Sequence, residues 1–111
     1  MDIQGHIIDK WLGTMNANHP ILTVYDVDNR YYSLLPLVAE RGVKVIDTTQ
    51  SLLANREEAC DYWINTLVTD SNARMLIYRT VKFAENKKVN DPYIAFTQAG
   101  KFFPFGPNDN Y

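Results

Sequence analysis

The chain is poor in the residues that mark many recognisable sites. It has one cysteine, Cys60. A lone thiol makes no internal disulfide, so the fold rests on non-covalent packing and the composition suits a reducing compartment. The two histidines, His6 and His19, have no partners at a metal-ligand spacing, which argues against a zinc centre. The five glycines, Gly5, Gly13, Gly42, Gly100 and Gly106, form neither G-x-G-x-x-G nor a P-loop, which removes the common nucleotide-binding motifs. No apolar run approaches the ~20 residues of a membrane span. Asp2, His6, Asp9 and Lys10 interrupt Met1–Met15, so no charged-then-apolar leader stands there. The expected location is cytoplasmic, with no membrane partner. The formal net charge of -2 excludes a dominant non-specific attraction to nucleic acid.

What is present suffices for a core. The 111 residues are 46% hydrophobic and 13% aromatic, which suits a single folded domain over 1–111. Ile3, Ile7, Ile8, Trp11, Leu12 and Met15 recur every three or four residues, one apolar face of a helix over Ile3–Met15. Asn16, Asn18 and Pro20 end it. Ile21–Tyr25 is short and nearly all apolar, a strand covered on both faces. Asp26, Asp28 and Asn29 make a turn. A helical pattern follows over Tyr31–Arg41, with Pro36 placed in a first turn capped by Ser33 or kinking a longer helix, and Gly42 as its stop. Val43–Asp47 is a second strand. Leu52–Thr69 is a third helix, with Leu52, Leu53, Ala59, Cys60, Trp63, Leu67 and Val68 as its apolar positions and Thr48, Thr49 and Ser51 as candidate caps. Were Trp63 a core residue, Trp63→Ala would cost about 3–5 kcal/mol. Arg74–Val81 is a third strand. Lys82–Asn90 reads as an exposed loop, and Asp91-Pro92 as the start of a short helix over Tyr93–Gly100.

Strands alternating with helices specify an α/β fold: a small three-layer, Rossmann-like or receiver-like domain, with a short parallel sheet of about three strands and helices on both faces. The strand order is expected to be 2-1-3. Phe102, Phe103 and Phe105 fit no regular pattern, and such aromatics want a surface to pack on. With Lys87 and Lys88 they form the candidate interaction surface. The end reads as unfinished, and the expectation is a piece of a longer protein cut in a loop.

The strongest candidate for chemistry is the acidic set Asp26, Asp28 and Asp47. Ligands of open α/β sheets sit at the carboxyl ends of the strands, and clustered carboxylates there could hold Mg²⁺ through oxygen. Haloacid-dehalogenase-type phosphatases and response-regulator receivers use such acids for phosphoryl transfer. Here Arg30 stands where the dehalogenase pattern wants Thr or Val, and a receiver's five strands and strand-end lysine are not visible. The alternative role of these acids is structural, shaping the turn and capping the next helix. Cys60, within a helix near its apolar face, reads as a buried structural thiol. Arg79, Lys82, Lys87 and Lys88 form a modest basic cluster around Phe83, so DNA contact through Lys82–Lys88 is the weaker binding hypothesis.

One resemblance covers about Asn18 to Tyr111. His19-Pro20-Ile21-Leu22-Thr23-Val24-Tyr25-Asp26 followed by Asn29-Arg30-Tyr31 resembles the start of PglZ proteins of BREX bacteriophage-exclusion systems. So do Val45-Ile46-Asp47, Ser51-Leu52-Leu53 with Arg56-Glu57, and Met75-Leu76-Ile77-Tyr78. Asp91-Pro92-Tyr93, Phe96, Gly100-Lys101-Phe102-Phe103-Pro104, Asp109 and Tyr111 resemble the continuation. The resemblance implies a non-catalytic amino-terminal accessory domain of a phage-defence protein. Its parent would be a metal-dependent phosphohydrolase of the alkaline phosphatase superfamily, holding a divalent metal such as Zn downstream. No residue here matches those metal ligands, so no catalytic, metal or cofactor residue is carried over. The implied partners are the downstream domains of the same protein and other BREX components such as the methyltransferase.

Overall fold

A computed structural model describes residues 3–15, 18–81 and 93–96. The elements run α1 (Ile3–Gly13), β1 (Ile21–Val27), a 3-10 turn (Tyr32–Leu34), α2 (Leu35–Glu40), β2 (Lys44–Asp47), α3 (Leu52–Tyr62), a π-helical turn (Trp63–Leu67), β3 (Met75–Val81) and β4 (Tyr93–Phe96). They form an α/β domain around one four-stranded sheet of order β2-β3-β1-β4. β3 pairs in parallel with both β1 and β2, whereas β4 pairs antiparallel to β1.

Side-chain alternation divides the core into two layers. Leu22 and Val24 of β1 and Leu76 and Tyr78 of β3 face Ile8, Trp11 and Met15 from the first helical segment and Leu35 and Val38 from α2. Ile21, Ile46, Met75 and Ile77 point the other way, onto Ala59, Tyr62, Trp63 and Leu67. Helices therefore cover both faces. The chain steps from β1 out to β2 and back to β3, with α2 and α3 on opposite faces. Reversing both direction and face leaves the two crossovers with the same hand, as the chirality of βαβ units demands. All seven β1 residues are buried, which is why that strand has no polar alternation.

The turn chemistry follows the sequence. Pro36 sits in the first turn of α2, where its missing N–H costs nothing. Ser51 caps α3 by accepting a hydrogen bond from the Ala54 N–H at 3.4 Å. Gly42 has φ +82, the left-handed stop that favours glycine. Ser33 does not cap α2: its N-cap is Leu34, with no side-chain bond.

Several expectations are corrected. β3, not β1, lies between the other two parallel strands. Residues 93–96 are a strand, not the first turn of a helix. Tyr, Ile and Phe favour strands, and four residues are too few for periodicity to separate the two states. Leu53 and Val68 are 69% and 62% exposed, and Trp63 is only half-buried. The inward face of α3 and its π turn instead centres on Ala59, Tyr62, Trp63 and Leu67. Cys60 is half-buried, and burial pushes its thiol pKa up, leaving little thiolate. Arg79 is buried within β3 and does not belong to an exposed basic cluster. Lys82, Lys87, Lys88, Phe102, Phe103 and Phe105 lie outside the described residues. Among the described residues, no helix is long and apolar enough to cross a membrane.

Candidate functional site

The carboxyl ends of β1 and β2 carry Asp26 and Asp47 to either side of Tyr78, in the middle of β3, on the α1/α2 side of the sheet. Alternation puts Asp26, Asp47 and Tyr78 on the same face as Val24, Val45 and Leu76. Asp26 is 1% exposed. Its Oδ2 accepts the Tyr31 backbone N–H at 2.7 Å and the Tyr78 hydroxyl at 2.6 Å. Between Asp26 and Tyr31 the chain reverses through Asp28 (φ 54) and Asn29 (φ 57). These are two left-handed positions that Asp and Asn tolerate better than other non-glycine residues. Asp26 thus pins the turn that follows its own strand.

Tyr78 Oη also lies 2.8 Å from Asn29 Oδ1. A phenol has one proton, and Asp26 Oδ2 takes it. Turning the Asn29 amide so that Nδ2 faces Oη satisfies both contacts, giving a directed chain from Asn29 through Tyr78 to Asp26. Burial, then the hydrogen bond and charge of Asp26, push the Tyr78 pKa far above its ordinary value. The phenol therefore stays protonated.

Asp47 extends the network to β2. The Tyr32 ring meets the Tyr78 ring edge-on, with centroids 5.5 Å apart, and the Tyr32 hydroxyl donates to Asp47 Oδ2. Asp47 Oδ1 accepts the Thr49 N–H at 2.9 Å and the Thr49 hydroxyl. The Asn55 amide donates to the Asp47 carbonyl, drawing α3 against the end of β2. The Thr48 hydroxyl and N–H reach the Tyr78 carbonyl at 2.7 and 3.1 Å. The loops after β1 and β2 are thereby tied to β3 in one hydrogen-bonded unit.

Partial burial works against the Asp47 charge. The bonds from the Thr49 hydroxyl, Tyr32 and the Thr49 N–H outweigh it and hold the carboxyl below its usual 3.8. A carboxyl with a lowered folded pKa stabilises the fold above its unfolded pKa and loses that contribution as pH falls through the folded value. Asp47→Asn should therefore melt at a lower temperature than the parent at pH 7, with the gap closing at an acid pH below the lowered folded value. An equal gap at both pH values, in melts followed by circular dichroism, would show that the charge contributes nothing.

Sequence reasoning placed Asp26 and Asp47 near each other, and the structure links them through Tyr78 and Tyr32. Asp28 is exposed, whereas Asp26 is buried. Among the described residues, no group of three or more His, Cys, Asp or Glu side chains gathers where it could hold a metal ion. Among the described residues, Asp26 Oδ1 is buried without a hydrogen-bond partner. The sequence reading gives Asn29 a place in the turn and gives Tyr78 and Tyr32 no role at the site. The legible signal was Tyr78 itself, a phenol closing the apolar run Met75-Leu76-Ile77-Tyr78 within a strand, because a buried tyrosine hydroxyl needs a polar partner. Comparison with family models, curated proteins and solved structures returns no match to this chain.

Proposed function

We propose that this chain is a non-catalytic, cytoplasmic accessory domain that works by binding other proteins, as the amino-terminal part of a PglZ-like phage-defence protein. What supports the reading is the state of the strand-end acids. Asp26 Oδ2 and both oxygens of Asp47 are taken up by internal donors, which suits acids that shape loops rather than attack a substrate. The sequence resemblance supplies the PglZ assignment. On this reading the partners are the downstream phosphohydrolase domain and other BREX components such as the methyltransferase. The divalent metal and the turnover belong to the parent protein outside these residues. A tagged domain incubated with the separately purified BREX proteins and the downstream domain should retain at least one of them. Retention of none would sink the proposal.

A second reading, phosphoryl transfer by Asp26 and Asp28 with Mg²⁺, is favoured by the orphaned Oδ1 of Asp26. A buried carboxylate oxygen without a donor carries a desolvation cost that a cation would offset. On this reading millimolar Mg²⁺ raises the melting temperature of the parent domain and not of Asp26→Asn.

A further inference from the structure

The outward face of α3 and of the π-helical turn that continues it to Val68 carries a pattern that the fold does not use. Leu53, Glu57, Asp61, Ile64 and Val68 recur at spacings of four, four, three and four, one stripe along a helix. All five are exposed. Leu53, Ile64 and Val68 are 69%, 58% and 62% exposed, while the opposite side of the same helix packs on the sheet through Ala59, Tyr62, Trp63 and Leu67. The stripe is apolar at both ends and acidic in the middle. Its neighbour Glu58 pairs with Lys44, but among the described residues neither Glu57 nor Asp61 has an ion-pair partner. A helix that buries one face and lines up large aliphatic side chains on the other departs from ordinary one-sided amphipathicity.

We propose that this stripe docks an amphipathic helix of another protein, one with aliphatic residues at the two ends of its contact face and Lys or Arg between them. The charge pattern selects that occupant. A second copy of the chain pairing antiparallel about the middle of the stripe would set Glu57 and Asp61 against the same acids of its mate, and like charges brought together at an interface are repulsive. The same acids oppose an anionic lipid surface or a nucleic acid backbone. A basic-centred helix satisfies all five positions at once: it covers the aliphatic ends and neutralises the acids.

The inference rests on the interaction-domain reading and specifies its surface. The probe is a synthetic helical peptide of about 20 residues, a length at which a helix-favouring sequence holds its shape in water. Its contact face carries Leu at the ends and two Lys at the centre, and a control peptide carries Glu in place of Lys. By fluorescence anisotropy the domain should bind the Lys peptide about tenfold more tightly than the Glu peptide, the scale expected of two exposed ion pairs. Binding should slow alkylation of Cys60, which lies between Glu57 and Ile64 on the helix. Ile64→Ser with Val68→Ser should weaken the Lys peptide about tenfold. Glu57→Lys with Asp61→Lys should invert the preference, a gain of Glu-peptide binding that misfolding cannot imitate. Equal affinity for the two peptides, no binding of either, or self-association of the domain abolished by Ile64→Ser would overturn the proposal. If the substituted domains still retain a purified BREX component as the parent does, this surface is wrong and the interaction reading stands. If the parent retains none, the interaction reading itself fails.

Discussion

Trp11→Ala should destabilise the domain by about 3–5 kcal/mol, enough to unfold much of the population near physiological temperature. Trp11 is 2% exposed and packs among Ile8, Met15, Leu35 and Val38 between α1 and α2. Truncation removes the largest side chain of that layer. The gap cannot close easily, because Leu22, Val24 and Leu76 are fixed on a paired sheet beneath it. The comparison residue is the other tryptophan. Trp63 is half-buried and packs against the second layer, so Trp63→Ala should cost about 1–2 kcal/mol, in proportion to the smaller area it removes from water. Urea titrations of the two variants should therefore rank Trp11 well above Trp63. The reverse ranking would mean that α1 is not seated on the sheet as described.

That ranking also marks where the sequence was legible. The periodicity of Ile3–Met15 identified an amphipathic helix and its inward face, and the three-four spacing leaves Trp11 no other side. The third helix was harder to phase, since it offers apolar residues all round. Leu52, Leu53, Ile64 and Val68 compete with Ala59, Tyr62, Trp63 and Leu67, and only packing against Ile46 and Ile77 decides which set turns inward. Strand order failed for a different reason. Ile21–Tyr25 reads as a strand covered on both faces, and Met75-Leu76-Ile77-Tyr78 is just as apolar. A three-stranded sheet has one interior place, so one of them had to be put at an edge. β4 resolves the conflict: it pairs with β1, and both β1 and β3 become interior. β2, four residues long and led by half-buried Lys44, takes the edge. The placement of helices on both faces survived the wrong order, because orders 2-1-3 and 2-3-1 both reverse direction between crossovers. At the site, the acids were legible from their position after the strands. Their tyrosine partners were not, because the register of β1 on β3, with Val24 beside Tyr78, is what brings the phenol to Asp26, and no spacing in the sequence sets it.

Asp26→Ala should cost about 3 kcal/mol, because it strips the acceptor from two donors, the Tyr31 N–H and the Tyr78 hydroxyl, and each buried group left unpaired costs about 1–3 kcal/mol. Tyr78→Phe separates the contributions. It removes one donor together with its need for an acceptor, and should cost about 1–2 kcal/mol. It also changes the response to alkali. The raised Tyr78 pKa means that the fold keeps a proton the unfolded chain gives up, so its contribution is complete below pH 10 and drains away above it. The Phe variant should lack that loss. Asp26→Asn is the informative case, because the amide keeps the shape and one acceptor but loses the charge. If Asp26 is there to hold the turn, the Asn variant is less stable than the parent, with or without Mg²⁺. If the buried charge with its orphaned Oδ1 is kept for chemistry, removing it relieves a desolvation cost and the Asn variant is the more stable protein. The sign of that single difference, measured by urea titration at pH 7, decides between an acid that builds the strand-end loops and an acid held ready for a cation.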